Sequence, residues 1–207
     1  MSLTSWIGLP PLRVLHPPGR SGARFRVEAP HVALTFDDGP HPERTPAILD
    51  CVARHGVRAT FFLVGERARR SPRLVRRIAD EGHSVANHSW SHRVLVGADD
   101  RRLFDEVDRT QQVLADLLGR APTLFRPPYG FTTCSLERIL RERHLTPVFW
   151  SVDSFDFAAV PASVSFRHAS RAGRGDVVLF HDGVERARGT LKAVDRWLTG
   201  AREVGLP

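Results

Sequence analysis

Two histidines four residues apart, His88 and His92, and two adjacent aspartates, Asp37 and Asp38, are the side chains best suited to hydrolytic chemistry. Imidazoles at that spacing share one face of a helical turn and can grip one cation. The run His88-Ser89-Trp90-Ser91-His92 is therefore read as a helical turn bearing two ligands. Asp38 would complete a mixed nitrogen and oxygen set of the kind found in catalytic zinc or non-haem iron sites, with positions left open for water and substrate. Asp37 beside it can take a proton from a water whose pKa the cation brings from about 15.7 toward 7. Neither pair is decisive alone. Asp-Gly is also a common surface turn, and isolated histidines are more often hydrogen-bonded structural residues.

Three further clusters follow short apolar runs. Arg126-Pro127-Pro128-Tyr129-Gly130 is a loop stiffened by two prolines, which fix the direction of the flanking groups. Val177-Val178-Leu179-Phe180-His181-Asp182-Gly183 brings His181 to the end of a buried strand, where an imidazole can donate a proton to a leaving amine. The run Trp150–Phe157 offers two acids, Asp153 and Asp156, either of which could orient His181.

The elements that must position these groups alternate between apolar, β-branched or aromatic runs and stretches of helical period. Repeated βα units around a mainly parallel sheet or barrel give that pattern. Strands are predicted at Val32–Phe36, Ala59–Val64, Ser84–Ala86, Leu124–Phe125, Pro147–Val152 and Val177–Phe180. The first predicted helix is Thr45–Arg54, closed by Gly56, and the next is capped by Ser71, with Pro72 in its first turn, and closed by Gly82. The longest helix, Asp99–Leu118, carries Leu103, Phe104, Val107, Leu114, Leu117 and Leu118 on one face. Weaker helices are expected at Ser135–Arg143, Pro161–Ala172 and Arg188–Leu198. The chain ends where another strand could begin, so a barrel left open or one strand short is expected. In such folds the chemistry lies in loops at the carboxyl ends of the strands, which is where every polar cluster falls.

The 207 residues suit one domain, 30–207, preceded by an extension over 1–29. No apolar run is long enough to cross a bilayer, and Pro10, Pro11 and Arg13 break the only stretch resembling a signal-peptide core. As it stands the chain reads as cytoplasmic; a removed leader would place it in the cell envelope or outside the cell. The net charge of +7 raises the question of a nucleic-acid partner. The arginines are dispersed, however, and Arg69-Arg70, Arg76-Arg77 and Arg101-Arg102 read as solvated helix faces, so no nucleic acid is expected. Cys51 and Cys134 are far apart and read as buried free thiols.

Taken in order, the five clusters resemble the polysaccharide deacetylases with a NodB-homology domain, carbohydrate esterase family four, over residues 30 to 200. That resemblance implies a distorted (β/α) barrel of about seven strands, open or incomplete at its C-terminal end. It also implies removal of N-acetyl groups from peptidoglycan or chitin-type poly- or oligosaccharides of N-acetylglucosamine. By the same resemblance Asp37 is the catalytic base, and Asp38, His88 and His92 hold a divalent metal, zinc first, with cobalt or nickel as substitutes. Arg126 holds Asp37, the Tyr129 backbone N–H helps stabilise the oxyanion, and His181, tethered by Asp156, protonates the amine. Leu179 and Phe157 line the pocket for the acetyl methyl, Phe157 standing where the family usually has Trp. The expected partner is an N-acetylated glycan, and the expected state a monomer. On the same fold, a small amide, imide or acetyl ester is the alternative substrate. A non-catalytic module binding glycans or polyanions is the alternative outside enzymes.

Overall fold

The computed structural model describes residues 31–185 and 187–203. The expected extension at 1–29 lies outside the described residues. The described residues contain seven strands and seven α-helices, in the order β1 (Ala33–Gly39), α1 (Arg44–His55), β2 (Thr60–Leu63), α2 (Gly65–Arg70), α3 (Pro72–Asp80), β3 (Ser84–Asn87), α4 (Asp100–Leu118), β4 (Leu124–Phe125), α5 (Cys134–Glu142), β5 (Thr146–Pro147), β6 (Val152–Asp153), α6 (Ala162–Ala169), β7 (Val177–His181) and α7 (Thr190–Glu203). The strands form one sheet in the order β5-β4-β3-β2-β1-β7-β6. Every pairing is parallel. The sheet curls into a half-barrel whose two end strands, β5 and β6, each have one partner.

Strand alternation gives the sheet two faces. Leu34 and Phe36 of β1, Phe61 and Leu63 of β2, and Val178 and Phe180 of β7 belong to one apolar cluster with Ile48, Leu49 and Val52 of α1 and Trp197 of α7. Phe36 stacks on Phe61 with ring centroids 5.1 Å apart. Burying each such ring is worth about 1.5–3 kcal/mol. The alternate residues Thr35 and Asp37 are in register with Leu179 and His181, and Asp37 is also in register with Phe62. They belong to the opposite, concave face, so the same three strands serve the core and the site.

Several expectations are corrected. The single predicted strand 147–152 is two short strands, β5 and β6, on opposite edges of the sheet. Phe149 and Trp150 between them carry the chain across the open side, which is how six predicted strands become seven. Helix α2, whose Arg69-Arg70 pair reads as a solvated helix face, is given no bounds by the sequence; its run Gly-Glu-Arg-Ala-Arg-Arg has too few apolar residues to show a period. Ser71 occupies the cap position of α3 but makes no side-chain capping bond. Asp99, by contrast, caps α4 by accepting from the Arg102 N–H at 2.8 Å. Cys51 is buried and free as expected, whereas Cys134 is free but exposed. Among the described residues no helix is long and apolar enough to cross a membrane.

Candidate active site and metal centre

Adjacent residues in a regular strand point to opposite faces, so Asp37 and Asp38 can share a site only if the strand breaks its alternation. It does so at a bulge. Asp37 is in register with Phe62 and Gly39 with Leu63, which leaves Asp38 as the unpaired extra residue. Its φ of 71° lies in the left-handed region, which an aspartate tolerates better than most residues. Both carboxylates are buried, at 3% and 7% exposure.

His88 and His92 converge on Asp38 by a different route from the predicted helical turn. Residues 88–92 form a loop after β3, and left-handed φ values of 64° at Ser89 and 56° at His92 fold it back on itself. The two rings lie 4.9 Å apart. Asp38 Oδ1 is 2.9 Å from His92 Nε2 and 3.3 Å from His88 Nε2. Burial opposes the charge on Asp38, but the two imidazoles outweigh it and hold the carboxyl well below the usual carboxylate range.

The donor set fits a cation. His88 Nδ1 lies 2.7 Å from the Arg126 carbonyl oxygen, which can only accept, so Nδ1 carries the hydrogen. In the neutral ring Nε2 then turns a lone pair, not an N–H, toward Asp38. Correspondingly, the buried Asp38 Oδ1 accepts no well-aligned hydrogen bond despite its two short contacts. Lone pairs aimed at a common point are what a divalent ion satisfies, and a ring nitrogen fixed by a backbone carbonyl is the usual support for such a ligand.

Arg126 is the largest fully buried side chain that carries charge. Its guanidinium donates to Asp37 Oδ1 at 2.6 Å, to Thr35 Oγ1 at 3.0 Å and to the carbonyls of Val148 and Phe149 at 3.1 and 2.9 Å. It also lies 4.0 Å over the Phe62 ring. Burial lowers its pKa and the Asp37 charge raises it, so the pair compensate each other inside the sheet. With one oxygen held, Asp37 presents the other, Oδ2, 3.6 Å from His88 Nε2.

His181 ends β7 beside Asp37. Asp156, not Asp153, holds it: Asp156 Oδ1 lies 2.7 Å from His181 Nδ1, and Oδ2 accepts the His181 backbone N–H at 2.9 Å. Thr190 Oγ1 and Ser154 Oγ donate to the same carboxylate. Asp153 instead accepts the Phe155 backbone N–H at 2.7 Å. Burial acts to lower the His181 pKa, but the Asp156 hydrogen bond and the charges of Asp156, Asp37 and Asp38 raise it to about 9. The ring is therefore protonated at neutral pH, with Nε2 as its remaining donor.

The rim is aromatic. Tyr129, at a φ of 59°, packs 4.8 Å from the His92 ring with 55% of its surface exposed. Phe157 lies 5.4 Å from the His181 ring, edge to face, and Phe155 sits 6.2 Å from Phe157. Leu179 is buried on the concave face between Thr35 and Asp153.

Several supports gave no readable signal in the sequence. Glu106 is buried in α4 and accepts the Trp90 and Ser91 backbone N–H groups, each at 2.9 Å, so a buried carboxylate pins the histidine loop. Arg67 Nη1 donates to the Asp38 and Gly183 carbonyls at 2.6 and 2.8 Å, tying the end of β1 to the end of β7. A Cβ at Gly183 would stand 2.0 Å from the Asp38 carbonyl oxygen, so only glycine allows that approach. Asp182, fully buried beneath Gly39, accepts from Thr45, and burial raises its carboxyl to about 7.

Comparison with known proteins places this geometry. The family model for polysaccharide deacetylase matches residues 26–148, which include the aspartate, histidine and arginine clusters but stop before His181. A peptidoglycan-N-acetylglucosamine deacetylase of Bacillus cereus is 39% identical over 183 residues, 85% of this chain and 66% of that one. The peptidoglycan-N-acetylglucosamine deacetylase PgdA of Listeria monocytogenes is 36% identical over 175 residues, 84% of this chain but 36% of its own length. The chain thus spans just under two thirds of the first relative and about a third of the second. A family 4 carbohydrate esterase from Streptomyces lividans, solved with acetate, superposes with a TM-score of 0.79 at 37% identity, covering 86% of this chain and 90% of that one.

Proposed function

The chain belongs to the polysaccharide deacetylase family, and from that membership we propose that it hydrolyses the N-acetyl group of N-acetylglucosamine residues in a peptidoglycan or chitin-type poly- or oligosaccharide. The observation that carries this reading is the convergence of Asp38 Oδ1 and two imidazole nitrogens on one point, between a carboxylate fixed by Arg126 and an imidazole fixed by Asp156. Asp38, His88 and His92 would hold a divalent cation, zinc first among those the donor set suits. Such a cation supplies Lewis acidity for the acetamide carbonyl and lowers the pKa of water.

The chain's own groups do the rest. Asp37 Oδ2 takes the proton of the attacking water, while Arg126 keeps Oδ1 occupied and the carboxylate oriented. Tyr129, whose ring packs beside that of His92, would donate its backbone N–H to the developing oxyanion. His181 Nε2 gives its proton to the nitrogen as the C–N bond breaks, and Asp156 keeps the ring charged and oriented until then. Leu179 and Phe157 bound the space for the methyl group, Phe157 offering a smaller ring and no N–H. Acetate and the free amine are the products.

The test is acetate release from N-acetylglucosamine oligomers by metal-stripped protein, before and after zinc or cobalt is restored. Release that appears only with the cation is expected. No release with either metal, or release from small amides and esters alone, would overturn the glycan reading.

A further inference from the structure

A second group of metal-type donors lies far from the site. Cys51 and His55 are four residues apart on α1, and Asp195 faces them from α7. Cys51 Sγ, His55 Nε2 and a carboxylate oxygen of Asp195 all lie within 4.8 Å of one another. Asp195 Oδ1 is 2.9 Å from His55 Nε2 and 3.5 Å from Cys51 Sγ. Tetrahedral zinc, with about 2.0–2.3 Å to each donor, sets its ligands about 3.3–3.6 Å apart, so small side-chain rotations close the gap. We propose that Cys51, His55 and Asp195 form a second divalent-cation site, selective for zinc or cobalt, that staples α1 to α7.

The chemistry of the set supports one class of ligand. A thiolate with an imidazole favours borderline-soft ions over magnesium or calcium, which take all-oxygen shells. Asp195 is anionic, its carboxyl held below the usual range by the His55 contact. The Cys51 thiol is pushed up to about 11 by burial, so without a cation it stays protonated and is a poor nucleophile. On binding, the cation takes the place of the thiol proton, which leaves to solvent. Arg54 contacts Asp195 at 3.3 Å, but with 61% of its side chain exposed it can swing into water as the ion arrives. The fourth position opens on the half-exposed side of Asp195.

Placement indicates the role. Helix α1 runs away from the catalytic end of β1, so His55, its last residue, lies on the opposite rim of the sheet from Asp37 and Asp38. In α/β barrels that rim serves stability and not catalysis. A cation there would tie the first helix to the last described one.

Titrating the metal-free full-length Cys134→Ser protein with cobalt tests this, because a near-ultraviolet thiolate-to-cobalt charge-transfer band can arise only from Cys51. Two equivalents bound are expected, with the band growing with one of them and the melting temperature rising by several degrees. Asp195→Asn, at a half-exposed position, should weaken the band-forming equivalent at least tenfold and leave acetate release unchanged. One equivalent and no band would overturn the proposal. The Asp38 site contains no sulfur, so the band reports on this cluster alone, whatever becomes of the deacetylase reading.

Discussion

The two faces of the β2-β1-β7 ribbon differ as much as two proteins might, though they alternate along the same strands. One face carries Leu34, Phe36, Phe61, Val178 and Phe180 and is sealed by α1 and α7. The other carries Thr35, Asp37, Phe62, Leu179 and His181, with one buried guanidinium bonded to Thr35 and Asp37 and lying over Phe62. The hydrocarbon face gains from removal of apolar surface, which is non-directional and tolerates repacking. The polar face contributes little net stability, because each buried charge is offset by its partner's desolvation. What it gains is fixed direction: one oxygen of Asp37 held, one nitrogen of His181 held, and the other atom of each turned to the substrate.

That contrast can be broken from either side. Asp37→Asn should have the largest effect, lowering turnover about a thousandfold while cobalt binding stays near wild type; it also leaves the buried Arg126 charge without its anionic partner, so the melting temperature should fall. Loss of the metal from this variant, or its retention by His88→Ala, would remove the division of labour between base and ligands. On the hydrocarbon face, Phe36→Ala should cost about 3–5 kcal/mol in denaturant unfolding, with the folded fraction keeping its kcat. A stable but inactive Phe36→Ala protein would mean that the faces are not separable.

Asp156→Asn comes next, and its signature is a pH profile. His181 is protonated below about 9, so activity should persist up to that region and fall as pH rises through it. The variant removes the Asp156 contribution, the largest that raises the pKa, and leaves only the charges of Asp37 and Asp38 against burial, so the alkaline limb should move to lower pH. An unmoved limb would assign the acid to another group. Smallest, Phe157→Trp should change KM for N-acetylglucosamine oligomers by a few-fold and leave kcat within about threefold, since it alters pocket shape and not charge.

The sequence made the strands, the helix order and the chemistry at each strand end legible, because apolar runs and turn residues mark them locally. It misled wherever a long-range contact decided the outcome. His88-x-x-x-His92 has the spacing of a helical face, yet the loop is drawn back by Asn87, whose side chain accepts the Ser89 N–H at 2.9 Å, and by Glu106. Nothing local announces that Glu106 is buried, since its partners are backbone groups from another element. Residue chemistry leaves Asp153 and Asp156 both open as the partner of His181 and only the resemblance favours Asp156; Thr190 and Ser154, distant or unremarkable in sequence, complete its shell. The run 147–152, apolar but for Ser151, looked like one strand, although its middle hands two carbonyls to Arg126.

The left-handed residues around the site, Asp38, Ser89, His92 and Tyr129, bear on how this enzyme can adapt. Each holds a conformation that disfavours side chains, at roughly 1 kcal/mol or more apiece. Asp38 and His92 need their side chains as the proposed ligands, so only Ser89 and Tyr129, whose proposed role falls to its backbone N–H, are open to replacement by glycine. Lineages moving to hotter habitats would therefore find little thermal tolerance to gain among these loops. They would have to seek it on the helices instead.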